Sequence, residues 1–152
     1  MFGTFDPSDV DSLIPGILLL THGPLGMAMI ESLRMLCLGT KNVVTLCLEE
    51  DDSFESYHTR ILEILLSYPA GCIVMIDLYG GRPSEHIRAY LSEQGMSCHA
   101  ITGVNMPMLI EAIALRGSMS NEKLVGELEQ IGKMGIVNLK KLLRKDTERE
   151  EK

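Results

Sequence analysis

The stretch Cys72-Ile73-Val74-Met75-Ile76 is a continuous apolar run, and the polar segment Asp77-Leu78-Tyr79-Gly80-Gly81-Arg82-Pro83 follows it directly. An apolar run without alternation is typical of a parallel strand that is covered on both faces. Three further short runs, rich in Ile, Leu and Val, lie at residues 16–21, 42–48 and 97–101. With the run at 71–76 they predict four strands.

Segments with helical spacing of apolar residues separate these runs. Met29, Leu33 and Leu36 share one face of the first segment, and the second segment spans residues 54–68. Asp52 and Glu55 are spaced as a capping box at the start of the second segment. The third runs from about 83 to 93 before Gly95, and the fourth covers 106–115. This alternation predicts an α/β fold, an open and mainly parallel sheet of βα units with helices on both faces.

The two ends of the chain differ from this repeat. Residues 1–15 form an irregular lead-in, and residues 144–152 form a charged tail, so the domain is predicted at 16–143. Apolar spacing at 124, 128 and 131 predicts a fifth helix that Gly132 and Gly135 interrupt. The pattern of residues 136–143 fits either a strand or a helix.

Length and charge exclude several classes of partner. The chain has 152 residues, which suits one domain, and a formal net charge of -7. Nucleic-acid binding requires a dense cationic surface, so no nucleic-acid partner is expected. No apolar run approaches the ~20 residues of a membrane span. Acidic residues precede the run at 17–20, which is unlike a signal peptide. The sequence therefore predicts a cytoplasmic protein.

The cysteines and histidines form no metal-binding pattern. Cys37, Cys47, Cys72 and Cys98 lack the C-x-x-C spacing of zinc and dithiol motifs, and the histidines are dispersed. The cysteines are therefore interpreted as small buried side chains in a reducing compartment. No metal and no cofactor are expected.

Chemically useful residues follow the predicted strands, where ligands bind in open parallel sheets. His22 follows the first strand, and histidine, with an ordinary pKa of about 6.5, is mostly the nucleophilic free base at neutral pH. Asp77 follows the third strand and would fix the tautomer of a neighbouring ring. Gly80 and Gly81, followed by Arg82, resemble a glycine turn that opens a helix and binds an anion.

Each of these residues alone has an ordinary structural explanation, as a hydrogen-bonding histidine, a turn aspartate or a flexible turn. Their convergence on one sheet edge predicts a phosphoryl or anion site. The acidic run at 49–52 is interpreted as a helix N-terminus that complements the helix dipole rather than as a metal site.

Three motifs resemble a known family. They are residues 16–23 (Gly-Ile-Leu-Leu-Leu-Thr-His-Gly), residues 77–83 quoted above, and residues 103–109 (Gly-Val-Asn-Met-Pro-Met-Leu). In order and spacing they resemble the IIA domains of the mannose family of the phosphoenolpyruvate-dependent sugar phosphotransferase system (PTS). The resemblance covers about residues 15–143, and its second and third motifs together are quite specific.

The resemblance implies a phosphotransferase component without a cofactor. His22 would accept phosphate from the phosphocarrier protein HPr and pass it to a IIB component, and Asp77 would orient its ring. The membrane IIC/IID complex would be reached only indirectly. The family fold also implies a homodimer that exchanges a C-terminal strand, which would give residues 136–143 a role. The implied phosphoryl-binding residues are Gly80, Gly81 and Arg82, and the implied active-site edge residues are Thr21, Gly23 and Asn105.

Two residues depart from the family pattern. Arg82 stands where the family usually has Ser or Thr, whose hydroxyl helps to hold the phosphoryl group. An arginine would either replace that contact with a charged one or point outward toward a partner. Glu85 replaces the usual Asn, and with the acidic 49–52 loop it would influence the choice of partner.

Three alternatives remain at this stage. The phosphoryl-donor subunit of a dihydroxyacetone kinase system shares the fold and the histidine, although the second and third motifs favour the mannose type. A module that only senses phosphorylation of His22 is a second alternative, which the stand-alone length disfavours. A generic nucleotide-binding α/β protein ranks last, because neither G-x-G-x-x-G nor a phosphate-loop lysine motif is present.

Overall fold

The computed structural model describes residues 5–36, 39–94 and 98–143. A short 3-10 helix at Pro7–Asp9 precedes the domain. The strands are β1 (Gly16–His22), β2 (Val43–Leu48), β3 (Cys72–Ile76) and β4 (Cys98–Thr102). The helices are α1 (Leu25–Met35), α2 (Phe54–Leu66), α3 (Arg82–Gln94), α4 (Met106–Leu115) and α5 (Asn121–Met134).

The four strands form one parallel sheet in the order β2-β1-β3-β4. The predicted α/β fold with an open parallel sheet is confirmed. The strand that follows β1 in the chain, β2, pairs with one side of β1, whereas β3 pairs with its other side. The strand order therefore reverses between β1 and β3. Such a switch point opens a crevice at the carboxyl ends of the two strands.

Helices cover both faces of the sheet, as the unbroken apolar runs predicted. Even-numbered core residues of β1 and β3 pack with side chains of α2 and α3 in one cluster. Odd-numbered core residues pack with side chains of α1, α4 and α5 in a second cluster. This alternation follows from the two-residue period of a strand, and it buries both central strands except for His22, the exposed last residue of β1.

Gly132 does not interrupt the fifth helix, contrary to the prediction, because α5 runs through it. A Cβ at Gly132 would lie 2.5 Å from Met108 Sδ of α4, so the missing side chain allows the two helices to pack closely. Gly135 caps the end of α5. The side chain that requires a glycine at residue 132 belongs to α4, so the sequence around Gly132 does not indicate this requirement.

The proposed capping box at 52–55 is also wrong. The N-cap of α2 is Ser53, whose hydroxyl accepts the N–H of Ser56. The carboxylate of Asp52 accepts the N–H of Glu49 within the preceding turn. Gly95, the expected terminator of α3, lies outside the described residues.

Residues 136–143, whose pattern fitted either strand or helix, form no strand in this chain, and residues 139–143 are helical. Asn138 initiates this turn, because its side chain accepts the N–H of Lys141 and its carbonyl accepts the N–H of Leu142. The strand that the family resemblance implied is therefore not formed within the single chain. The side chains of Ile136 and Leu139 remain largely exposed.

Within the described residues, no helix has the length and apolar character that a bilayer crossing requires. Cys47, Cys72 and Cys98 are buried and unpaired, as the sequence predicted, and Cys37 lies outside the described residues. The described residues also contain no cluster of three or more His, Cys, Asp or Glu side chains arranged for a metal ion.

Candidate functional site

His22 and Asp77 meet at the switch point of the sheet. His22 is the last residue of β1, and Asp77 directly follows the adjacent strand β3. The Asp77 carboxylate accepts the backbone N–H of His22 at 2.8 Å. The same carboxylate lies 3.0 Å and 3.2 Å from Nδ1 of the His22 ring. One carboxylate therefore fixes both the strand end and the imidazole.

This geometry defines the role of each ring nitrogen of His22. An ionised carboxylate only accepts hydrogen bonds, so the neutral ring carries its proton on Nδ1 and keeps a lone pair on Nε2. The His22 side chain is 43% exposed, whereas that of Asp77 is only 10% exposed. The arrangement presents a nucleophilic nitrogen at the surface, with its orienting carboxylate beneath it.

The glycine turn lies directly against the His22 ring. A Cβ at Gly81 would lie 2.7 Å from Cε1 and 3.1 Å from Nε2 of His22. Gly80 has a φ of 82°, which favours glycine. Residue 81 is therefore a glycine because the ring occupies the space that a side chain would need.

Ser84 stabilises this turn. Its hydroxyl accepts the N–H of Gly80 at 3.0 Å and donates to the carbonyl of Gly81 at 2.8 Å. The N–H of Gly80 is thus engaged, contrary to the expectation that both glycines offer theirs to an anion. Among the described residues, no acceptor is bonded to the N–H of Gly81 or Arg82. These two groups at the positive end of the α3 dipole suit an anion beside His22 Nε2.

We expect Gly81→Ala to reduce the rate of phosphoryl transfer to His22, the reaction that the family resemblance implies, by about 100-fold or more, because the added methyl group must displace the ring or the turn. The rate of phosphorylation measures the effect. Gly126→Ala is the matched control, since a Cβ there meets open space on α5. A Gly81→Ala protein as fast as the wild type would show that the reaction of His22 does not depend on the absence of a side chain at residue 81.

Arg82 makes a contact within the protein that was not considered from the sequence. Its Nη2 donates to the backbone carbonyl of Asp52 at 2.8 Å, in the loop between β2 and α2. Arg82 is half-buried, and its charge adds to the positive field around His86. In this structure the side chain therefore connects two segments of the protein.

The three residues expected at the active-site edge differ in their surroundings. Thr21 is fully buried, and its hydroxyl accepts the N–H of Gly26 at the start of α1, so its side chain does not line the edge. Gly23 has a φ of 54° and donates to the carbonyl of Leu48, which joins β1 to β2 beside His22. Asn105 caps α4 and donates to the carbonyl of Gly132 in α5.

A cluster of aromatic and histidine side chains near Arg82 was not predicted. His86 of α3 is fully buried, and its ring stacks on Phe54 with centroids 3.9 Å apart. His86 Nδ1 lies 3.4 Å from Nδ1 of His58, and its Nε2 has no partner among the described residues. Burial and the neighbouring His58 and Arg82 lower the pKa of His86. Phe54 and His58 lie on α2 and Arg82 and His86 on α3, so no local pattern could have joined the two pairs.

Comparison with known proteins gives consistent matches. A family model described as PTS system fructose IIA component matches residues 16–129. The PTS system fructose-specific EIIA component of Bacillus subtilis (strain 168) is 24% identical over 120 residues, which cover 76% of this chain and 80% of that protein.

Solved structures show the same fold. The phosphotransferase system component EIIA from Streptococcus agalactiae has a TM-score of 0.77 at 21% identity, covering 84% of this chain and 99% of that chain. The PTS IIA protein associated with the fucose utilization operon from Streptococcus pneumoniae has a TM-score of 0.74 at 23% identity, covering 88% and 99%. The mannose/sorbose specific IIA subunit from Enterococcus faecalis has a TM-score of 0.69 at 22% identity, covering 82% and 94%.

Proposed function

The chain belongs to the family of PTS system fructose IIA components, and from this premise we propose that it is a phosphoryl carrier that acts through His22. The carrier accepts a phosphoryl group from phospho-HPr and passes it to a IIB component for coupled sugar uptake. The observation that carries the proposal is the His22–Asp77 pair, which leaves Nε2 of an exposed ring free beside Gly81.

The proposed transfer is a direct displacement at phosphorus. The lone pair of His22 Nε2 forms the new P–N bond while the P–N bond to the donor histidine breaks, and its electron pair returns to the donor ring. The Nδ1 proton of His22 stays in its hydrogen bond to Asp77, so the carboxylate balances the positive charge that develops on the ring. The N–H groups of Gly81 and Arg82 offer hydrogen bonds to the phosphoryl oxygens.

The surroundings of the proposed site suit docking of protein partners. Leu78 and Tyr79 follow Asp77 directly, and their side chains are 58% and 73% exposed. Exposed large apolar side chains beside a reactive group are typical of a protein-binding surface. The proposed partners act in the cytoplasm, and contact with a membrane IIC/IID complex is indirect through IIB.

We also propose that the protein is a homodimer. A groove of about 570 Å³ runs beside β4, and its lining includes Ile101, Val125 and Ile136. In the described part of the chain β4 is an edge strand, and residues 136–143 expose several apolar side chains. Pairing between two copies would cover both features, since exposed strand edges favour association.

The test is phosphorylation of the purified protein by phosphoenolpyruvate, enzyme I and HPr from the same organism, followed by intact mass. We expect one phosphoryl group that is lost in acid, and none when HPr is omitted. Addition of the IIB component should then remove it. No phosphate on the complete mixture would exclude the PTS carrier. Phosphate that IIB cannot remove would favour a sensing module.

A further inference from the structure

Two contacts tie the first turns of α3 to the start of α2. The first is the hydrogen bond from Arg82 Nη2 to the carbonyl of Asp52. Asp52 directly precedes Ser53, which caps α2. The acceptor is a backbone atom of a turn that is itself closed by the bond from Glu49 N–H to the Asp52 carboxylate. Arg82 is therefore anchored to a structured segment rather than to a mobile side chain.

The second contact is the stack of His86 on Phe54. His86 lies four residues after Arg82, so both side chains leave the same face of α3. The fully buried His86 ring packs between α3 and α2, where Tyr57 approaches it with a centroid distance of 5.3 Å. Phe54 is the first residue of α2. The two contacts thus join adjacent turns of α3 to Asp52 and Phe54, on either side of the N-cap Ser53 of α2.

The start of α3 also lies against His22. Gly81 lies against the His22 ring, and Arg82 is the first residue of the helix. Any shift of this helix start would move the N–H groups of Gly81 and Arg82 relative to His22 Nε2. Phosphoryl transfer is sensitive to such shifts, because displacements of about 1 Å cost large factors in rate.

We propose that Arg82 is a positioning residue for phosphoryl transfer, which holds the start of α3 against His22 through its bond to the Asp52 carbonyl. The stack of His86 on Phe54 supports the same contact from the next turn. The proposal rests on the proposed carrier function. It assigns to Arg82 a role different from direct contact with the phosphoryl group, based on the hydrogen bond from Nη2 to the Asp52 carbonyl.

The kinetic test compares Arg82→Met with Arg88→Met, a matched change at an exposed arginine of the same helix. We expect Arg82→Met to lower the rate at saturating HPr by about 10-fold with KM changed less than about twofold, because positioning acts on the transfer step. Arg88→Met should change neither. An unchanged rate for Arg82→Met would overturn the proposal.

A double-mutant cycle tests whether the two contacts act together. Phe54 is half exposed, so Phe54→Ala removes the stack on His86 without emptying the core. Alone it should lower the rate by about threefold, and with Arg82→Met the loss should stay near 10-fold, since both changes loosen the same packing of α3 on α2. Multiplied losses would show that the two contacts act independently, and the proposal that they hold the start of α3 together would be wrong.

Amide NMR gives a readout that needs no phosphate donor. Arg82→Met should shift the His22 amide signal of the unphosphorylated protein, which is remote from residue 82 in the sequence, and Arg88→Met should leave that signal in place. If the wild type accepts no phosphate, the carrier function fails, while this shift still reports whether Arg82 positions the helix. An unchanged signal in Arg82→Met would overturn the positioning role even in a protein that accepts phosphate normally.

Discussion

His22→Ala is expected to abolish phosphate acceptance. No phosphorylated protein should be detected under conditions that fully phosphorylate the wild type. In the structure, His22 supplies the exposed ring nitrogen beside the turn that starts α3. Alanine removes the nucleophile altogether, so the remaining hydrogen-bond donors have no atom to which phosphorus can transfer. Intact mass after incubation with phosphoenolpyruvate, enzyme I and HPr measures the result.

The fold should survive His22→Ala, because the side chain is 43% exposed and the backbone N–H can still donate to Asp77. A circular dichroism spectrum and melting temperature close to those of the wild type would establish this. His99→Ala is the control for loss of a histidine elsewhere on the sheet, since His99 is a half-buried residue of β4. Phosphate that remains on the His22→Ala protein would place the acceptor on another residue.

Asp77→Asn is expected to slow phosphate acceptance by about 100- to 1000-fold. The amide can still accept the His22 backbone N–H, so the strand end should keep its geometry. It cannot, however, balance the charge that develops on the phosphorylated ring. Where its NH₂ group faces Nδ1, the ring must carry its proton on Nε2, which removes the nucleophilic lone pair. A comparable exchange in a catalytic triad causes a loss of similar or greater size.

Single-turnover kinetics with phospho-HPr would measure the Asp77→Asn effect, and ¹⁵N signals of the His22 ring would report its tautomer. Asp51→Asn is the matched control, because Asp51 is an exposed carboxylate in the loop after β2. Wild-type rates for Asp77→Asn would remove this carboxylate from the mechanism. A slow Asp77→Asn protein with an unchanged ring tautomer would assign the loss to charge alone.

The sequence predicted features that local patterns encode. The apolar run of β3 indicated a strand buried on both faces, and the residues after each strand placed His22 and Asp77 on one edge. Cap and turn residues were harder, because several compete within a few positions, and Ser53 rather than Asp52 caps α2. Likewise, Asn138 starts a helical turn in a segment whose apolar pattern fits a strand equally well.

Features that depend on packing between distant segments could not be predicted. The requirement for Gly132 comes from Met108, and the orientation of Arg82 comes from the carbonyl of Asp52. The stack of His86 on Phe54 joins residues of two helices that only the folded sheet brings together. Each of these contacts depends on the relative positions of two elements, which periodicity and capping rules do not specify.

The Asp77 carboxylate accepts hydrogen bonds from both the backbone and the ring of His22, and this has a consequence for the reversibility of the proposed phosphoryl transfer. Because one carboxylate holds both the main chain and the imidazole, the acceptor nitrogen is already in place before a donor arrives, and little reorganisation energy is needed. The same restraint acts when the phosphoryl group leaves. A preset centre of this kind lowers the forward and the reverse barriers together, as a relay operating near equilibrium requires.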